Sequence, residues 1–257
     1  MPFRTAKNKI FLENCLTTMQ RMPPEFVDLV VASPPYDKLK KYNGYSFDFQ
    51  SVVAGLNRIL KPGGVVVWIV GDATVKGSES ATSFKQALHF IEAGFNLHDT
   101  MIWHKSNVFN FGSNDCYRQS FEYMFVFSKG RPKTINLIKD LPAVMAGKLA
   151  YGARKHPDGS RDKLPKFEVP THKKRDNVWH MPTATAKSVG HPATFPVKLV
   201  EDHIRSWSNE GDLVYDPFMG SGTTALAAKS LNRNWLGSEI SEDYVKIARN
   251  RIRNFKN

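Results

Sequence analysis

Two short stretches carry residue types that could do chemistry. The first, Ser33-Pro34-Pro35-Tyr36, ends the apolar run Val27-Asp28-Leu29-Val30-Val31-Ala32. Proline fixes φ and has no N–H, so neither proline continues a sheet ladder. The residue before a proline is pushed to an extended conformation. The result is a stiff, open strand end presenting carbonyls, one hydroxyl and one aromatic ring, which suits gripping a flat, amino-bearing ring. The second stretch, Leu213-Val214-Tyr215-Asp216-Pro217-Phe218-Met219-Gly220-Ser221-Gly222-Thr223-Thr224-Ala225, reads as strand, turn and helix. Gly220 and Gly222 let the backbone approach a ligand at a helix N-terminus. The next apolar strand ends at Glu239, 19 residues after Gly220. A glycine turn followed by such an acid is how a doubly wound fold holds an adenosine, the acid taking the ribose hydroxyls.

Three ligands compete for the glycine turn. A P-loop needs Lys after its last glycine, and Thr223 stands there instead. A dinucleotide fingerprint is matched by Gly220, Gly222 and Ala225, but Asp216 at the strand tip would repel a pyrophosphate. S-adenosylmethionine removes that conflict, because its methionine end carries an ammonium and a sulfonium.

The elements that must position these residues follow from periodicity. Strands are expected at 9–12, 27–32, 65–70, 96–104, 121–128, 213–215 and 235–238. Helices are expected at 15–21, 47–60, 83–93, 196–207, 223–230 and 242–255. Lys61-Pro62-Gly63-Gly64 reads as a helix-ending turn. Alternating β and α elements with near-continuous apolar strands predict an α/β fold, a parallel sheet with helices on both faces. From 131 to 190 the pattern fails: six prolines, many basic residues and little periodicity predict an irregular insertion, anchored by Leu137, Val144, Phe167 and Trp179. The expected division is a first half at 1–130, the insertion at 131–190 and a glycine-turn half at 191–257.

The 257 residues, 41% hydrophobic, suit one large globular domain with an insertion. No apolar run reaches the roughly 18 residues of a bilayer span, and no apolar stretch after Met1 reads as a signal peptide. Cys15 and Cys116 have no metal spacing, and neither do His104, His156, His172, His180, His191 and His203, so no metal site is expected and a reduced cytoplasmic setting fits. The net charge is +12, and residues 131–190 hold 13 lysines and arginines against five acids. Two thirds of the excess charge in under a quarter of the chain points to a polyanionic partner such as nucleic acid.

Together the two motifs resemble the DNA amino-methyltransferases of β-class order, in which the catalytic motif precedes a target-recognition region and the cofactor motif comes last. Ser33-Pro34-Pro35-Tyr36 is similar to that family's catalytic tetrapeptide, Leu60-Lys61-Pro62-Gly63-Gly64 to its strand-leading turn, and Phe121–Lys129 to a catalytic-region strand. Gly190–Pro196 resembles the segment closing over the cofactor's methionine end, Asp216–Thr224 the cofactor loop, and Glu239 the ribose acid. The chain departs at Glu13-Asn14, where the family has Gly-Asp, and at Phe195, where a lysine is common.

The resemblance implies a Rossmann-like methyltransferase fold with a seven-stranded, mostly parallel sheet and a circularly permuted motif order. It implies S-adenosylmethionine as cofactor, held by Asn14, Thr194, Phe195, Asp216, Pro217, Phe218, Gly220, Ser221, Gly222, Thr223 and Glu239. In the implied chemistry the Ser33 hydroxyl and Pro34 carbonyl accept the N–H bonds of an exocyclic amine, Pro35 stiffens the turn, and Tyr36 stacks on a base flipped from the duplex. Serine at the first position favours cytosine N4 over adenine N6, the latter usually accompanying Asp, a stronger acceptor. C5 methylation needs a Pro-Cys nucleophile, which neither Cys15 nor Cys116 offers. Lys38, Lys40, Lys41, Arg154, Lys155, Lys173, Lys174 and Arg175 are expected at the backbone of double-stranded DNA. A cognate restriction endonuclease and a homodimer are partners the sequence leaves open; a membrane is not expected. The competing functions are N6-adenine methylation, a nicotinamide-dependent oxidoreductase, a non-catalytic DNA-binding module, and methylation of RNA or a protein amide.

Overall fold

The computed structural model describes residues 3–35, 47–107, 116–183 and 195–255. In chain order these give β1 Lys9–Leu12, α1 Cys15–Arg21, β2 Val27–Ala32, α2 Phe49–Ile59, β3 Leu60–Val70, β4 Thr74–Val75, β5 Ser78–Glu79, α3 Thr82–Glu92, β6 Asn96–Lys105 and β7 Phe121–Ser128. There follow β8 Leu141–Pro142, β9 Leu149–Lys155, β10 Arg161–Glu168, β11 His172–Lys173, β12 Val178–Met181, α4 Val197–Trp207, β13 Leu213–Asp216, α5 Thr223–Ser230, β14 Asn234–Glu239 and α6 Glu242–Asn254.

The central sheet runs in the order β1-β14-β13-β2-β3-β7-β6-β12. Every neighbouring pair is parallel except those that β7 makes with β3 and β6. Alternation along the strands divides the core in two, as the period of two requires. Leu29, Val31, Val65, Val67, Ile69, Met124 and Val126 face one layer, with α4, α5 and α6. Val30, Ala32, Val66, Trp68, Val70, Phe125 and Phe127 face the other, with α1, α2 and α3. Both faces are therefore covered, which is why the strands read as continuous apolar runs.

Asp28, the one polar residue in β2, stitches three elements at the amino ends of the strands. Its Oδ1 accepts from Lys61 Nζ at 2.7 Å, and its Oδ2 from the Leu213 N–H at 3.0 Å. The same neighbourhood corrects the expected turn at 61–64. Helix α2 ends before Leu60, as expected, but the Lys-Pro-Gly-Gly stretch is a bulge inside β3: from Leu60 to Val65 β3 advances five residues while β2 advances two, and Gly63 sits at φ +75°. The bulge is held by backbone pairing: Gly63 N–H donates to Lys129 O at 2.7 Å and Lys129 N–H to Gly64 O at 3.1 Å.

The insertion is not irregular. Leu137–Asp176 forms a compact unit of its own, containing the antiparallel pairs β9–β10 and β8–β11. Residues 177–181 belong to the main unit, where β12 pairs with β6 and makes the sheet eight-stranded rather than seven-stranded. The eighth strand is built on Trp179, 5% exposed, which stacks on His203 of α4 with ring centroids 4.6 Å apart. Replacing Trp179 with Ala should cost about 3–5 kcal/mol, the range for a large core aromatic. Denaturant unfolding of the variant measures it, and a loss below 1 kcal/mol would show that β12 is not part of the core.

Candidate functional site

The site begins with strand order. β13 and β2 are parallel neighbours, in register at Val214↔Leu29 and Tyr215↔Val30. Their carboxyl ends, carrying Asp216 and Ser33, thus reach one edge of the sheet, the edge at which open α/β sheets bind ligands. Ser33 follows β2 directly and is half-buried, Pro34 is buried and Pro35 half-buried. Tyr36, Lys38, Lys40, Lys41 and Thr194 lie outside the described residues. Phe195 is half-buried against the α4–α6 core layer.

The glycine turn is fastened almost entirely from within. Asp216 Oδ1 accepts from the Phe218 N–H at 2.9 Å and its Oδ2 from the Thr224 hydroxyl at 2.6 Å. Met219 N–H donates to Ser238 O at 2.9 Å, Gly220 N–H to Glu239 Oε2 at 2.8 Å, and Gly222 N–H to Met219 O at 2.9 Å. Pro217 has no N–H to give. Four amides of the turn are thus committed to protein acceptors, which argues against a phosphate nest; such nests present their N–H groups outward. Phe218 and Gly220 remain half-buried, whereas Pro217, Ser221, Gly222, Thr223 and Thr224 are buried. Ser221 is spent on α6, its O and Oγ accepting from Arg251 Nη1 at 2.6 and 2.8 Å.

Beside the turn, Glu239 closes β14 with its second oxygen accepting from the Ser241 N–H at 2.9 Å. Two oxygens with one backbone donor each keep lone pairs for a ligand's hydroxyls. Asn14 stands after β1, which pairs with β14 at Leu12↔Glu239. Its Oδ1 caps α1 through the Leu16 N–H at 2.8 Å, so its Nδ2 is the group that can turn to a ligand. The edge therefore gathers Asn14, Ser33, Asp216, Phe218, Gly220 and Glu239.

Sequence reasoning missed the residues that shape the turn from below. Gly237 is one: a Cβ there would lie 2.9 Å from Met219 Cβ. Gly222, already named from the sequence, serves the packing as well: it sits at φ +84°, and a Cβ would come within 2.9 Å of Ala248 Cβ. Arg251 and Ser238 complete the clamp, Ser238 also bonding the Tyr215 hydroxyl at 2.8 Å. Gly237 inside an apolar strand was the one available signal, since an isolated strand glycine marks a close approach.

The basic candidates of Leu137–Asp176 differ in their surroundings. Arg154, Lys155, Lys173 and Lys174 are exposed. Arg175 donates to both carboxylate oxygens of Asp140, through Nε at 3.1 Å and through Nη2, an ion pair that occupies donors expected at phosphate. In the main unit, His104 and His180 pair across β6 and β12 with Nδ1 atoms 3.1 Å apart, and no group of three metal-ligating side chains occurs among the described residues. Cys15 is buried, and burial pushes its thiol up to about 12, the opposite of a reactive thiolate; Cys116 is exposed.

Burial also raises Glu239, and it pushes Asp216 up to about 7 against the bonds from Thr224 and Phe218. The folded state thus holds the Asp216 proton more tightly than the unfolded chain, whose value is 3.8. The stability this residue contributes is fully present below about pH 4 and is lost as pH rises through about 7. Asn can keep the bond from the Phe218 N–H and reverse the other, its Nδ2 donating to the Thr224 hydroxyl oxygen, without titrating. The thermal midpoint of Asp216→Asn should therefore fall less than that of the wild type between pH 4 and pH 7; an identical fall would mean that the carboxyl is ionised throughout.

Comparison with known proteins agrees with this architecture. The family model for DNA methylases of the N6/N4 type matches residues 27–250. The orphan methyltransferase M.BamHII of Bacillus amyloliquefaciens is 51% identical over 243 residues, 89% of this chain and 89% of that protein. The type II methyltransferase M.ScaI of Streptomyces caespitosus is 28% identical over 266 residues, 97% of this chain and 83% of the other. Among solved structures, the cytosine-N4-specific PvuII DNA methyltransferase superposes with a TM-score of 0.71 at 24% identity, covering 98% of this chain and 88% of its own. M1.HpyAVI, solved with SAM, gives 0.63 at 22% identity over 96% and 99%. A match across most of the chain, joined to a relative half identical, makes this protein a member of the N6/N4 DNA methylase family.

Proposed function

We propose that this DNA methyltransferase moves a methyl group from S-adenosylmethionine to the exocyclic N4 of a cytosine turned out of the duplex. The observation carrying the proposal is the hydrogen-bonded pairing of β2 with β13, which brings Ser33 and the glycine turn to one sheet edge. Transfer between two bound molecules depends on such proximity.

The residues present fit S-adenosylmethionine. Glu239 retains acceptor capacity for a ribose diol, Asn14 retains its amide donors for an adenine acceptor, and Phe218 offers a half-buried ring. The turn's committed amides favour this ligand over a dinucleotide, whose pyrophosphate needs them. Bound there, the cofactor supplies a methyl on a sulfonium. The protein's own task is to make the amine nucleophilic. In this reading the Ser33 hydroxyl and Pro34 carbonyl accept its two N–H bonds, which draws the nitrogen lone pair out of conjugation with the ring. The same acceptors stabilise the positive charge that develops on nitrogen during transfer. Tyr36 stacks on the flipped base. Thr194 and Phe195 are assigned to the rim of the same site on the family resemblance, and Lys38, Lys40 and Lys41 to the duplex phosphates because they follow the catalytic turn in sequence.

Serine rather than a carboxylate at position 33 supports cytosine over adenine. The PvuII enzyme is cytosine-N4-specific, and M1.HpyAVI has been solved with SAM, in keeping with both choices. Ser33→Ala should lower kcat by about 100-fold, by analogy with the loss of one preorganised partner to a developing charge, while cofactor affinity stays unchanged. Full activity in this variant would sink the role of Ser33. Nucleoside mass spectrometry of DNA modified by the wild type should return N4-methylcytosine, and N6-methyladenine alone would overturn the choice of base.

A further inference from the structure

His104 and His180 are cross-strand partners. β6 and β12 run parallel in the register Trp103↔Trp179 and His104↔His180. Side chains alternate along each strand, so the two tryptophans enter the core layer of α4, α5 and α6, and the two histidines share the opposite face. Their Nδ1 atoms lie 3.1 Å apart, with ring centroids 4.9 Å apart and planes inclined at 60°. His104 is half-buried and His180 exposed. β12 is the last strand in the sheet order, so no further strand of the sheet lies beyond His180. Lys105, the next residue along β6, faces the other side, where its ammonium pairs with Glu122 and lies 5.3 Å from the Trp103 ring centroid. Its charge is engaged away from the pair.

A hydrogen bond between two neutral rings accounts for this distance, and the same distance is that of a chelate. Zinc-like ions sit about 2.0–2.1 Å from an imidazole nitrogen. Two nitrogens on one such ion are therefore about 3.0 Å apart at a right angle and about 3.4 Å apart at the tetrahedral angle. The observed 3.1 Å falls between them. Aiming both lone pairs at one ion takes only a turn of the rings about χ2, a soft torsion in histidine. The strand register has already brought the two rings together, so an ion does not have to immobilise them.

We infer that His104 and His180 form a two-histidine site for one divalent cation of the Zn²⁺ class, bridging β6 to β12, with water completing the coordination sphere. Imidazole suits Zn²⁺, Ni²⁺ and Cu²⁺, whereas Mg²⁺ and Ca²⁺ ask for oxygen ligands. On binding, the ring that donates the present hydrogen bond moves its proton from Nδ1 to Nε2, and both Nδ1 lone pairs then face the ion. The effect is local. β12 is four residues long and has β6 as its sheet neighbour, with Trp179 as its buried anchor. Past the pair, Ser106 N–H donates to Met181 O at 3.3 Å and Thr183 N–H to Asn107 Oδ1 at 2.7 Å. The ion braces the same strand ends from their exposed face. β6 and β12 run in the direction of β2, so these ends belong to the carboxyl edge of the sheet.

The test is a titration of the full, tag-free chain, first stripped with a chelator, with zinc chloride, read by calorimetry and by amide hydrogen exchange. The wild type should bind Zn²⁺, and His104→Ala and His180→Ala should each bind it roughly tenfold or more weakly, since removing even an outer partner of a metal ligand costs that much. His156→Ala, in the separate unit Leu137–Asp176, should bind as the wild type does. Zn²⁺ should slow exchange at Val178–Met181 in the wild type and in neither variant of the pair, and magnesium chloride should not slow it. His180 is exposed, so its variant keeps the fold, which unchanged far-ultraviolet circular dichroism verifies. Zn²⁺ binding as tight as the wild type's in either variant of the pair, no binding by the wild type, unchanged exchange at Val178–Met181, or equal slowing by Mg²⁺ overturns the inference.

Discussion

The hydrogen bond from the Gly220 N–H to Glu239 Oε2, 2.8 Å long, is the constraint on which the candidate site depends. It fixes the height of the turn over the sheet and the direction of the carboxylate together. It can form only if β13 and β14 keep the register Asp216↔Gly237, and only if residue 237 leaves room for Met219. Met219 N–H on Ser238 O locks the same register from the backbone. The acid proposed for the cofactor's ribose is therefore also a structural fastener. A carboxylate engaged on one side by amides is preorganised on the other, so a ligand does not have to immobilise it.

Most of the main unit was legible in the sequence because its chemistry and its packing agree. β2 and β13 are buried on both faces, so apolar runs declared them, and the prolines and glycines marked where each stopped. The amphipathic spacing of α2, with Val52, Val53, Leu56 and Ile59 buried, announced its helix. Pro-Gly-Gly was rightly read as the stop of α2, but not as part of a strand, where pairing with Lys129 holds the same residues as a bulge. Local propensity lost to a partner nearly seventy residues away in the chain, which no local window reports.

The hairpin and β12 were illegible for opposite reasons. β10 is exposed throughout, so its residues face solvent on both sides and the period-two signature of a half-buried strand never arises. β12 is only four residues long, and Trp179 is its single buried side chain, too little to establish a period. In both, pairing is decided by a strand elsewhere. At the site, the motif residues were visible as types, but their work was not: Asp216, Ser221 and Thr224 proved to hold the turn rather than face outward.

That change alters the argument about the ligand. In the sequence, Asp216 stood against a pyrophosphate as a charge at the strand tip. In the structure it is 2% exposed, both of its oxygens are engaged inside the turn, and burial raises it to about 7, which favours the neutral carboxyl over the charged one relative to a free Asp. Its repulsion is thereby weakened. Discrimination passes to the amides. Glycine turns that bind phosphate depend on N–H groups without internal acceptors, because a phosphate repays its desolvation only through several short, charge-assisted bonds. Here Phe218, Met219, Gly220 and Gly222 have each given their N–H to Asp216, Ser238, Glu239 and Met219. Freeing them for a phosphate would strand buried acceptors at about 1–3 kcal/mol apiece. A cationic, phosphate-free adenosine ligand asks for none of them, and this is the stronger physical reason to assign S-adenosylmethionine rather than a dinucleotide to the turn.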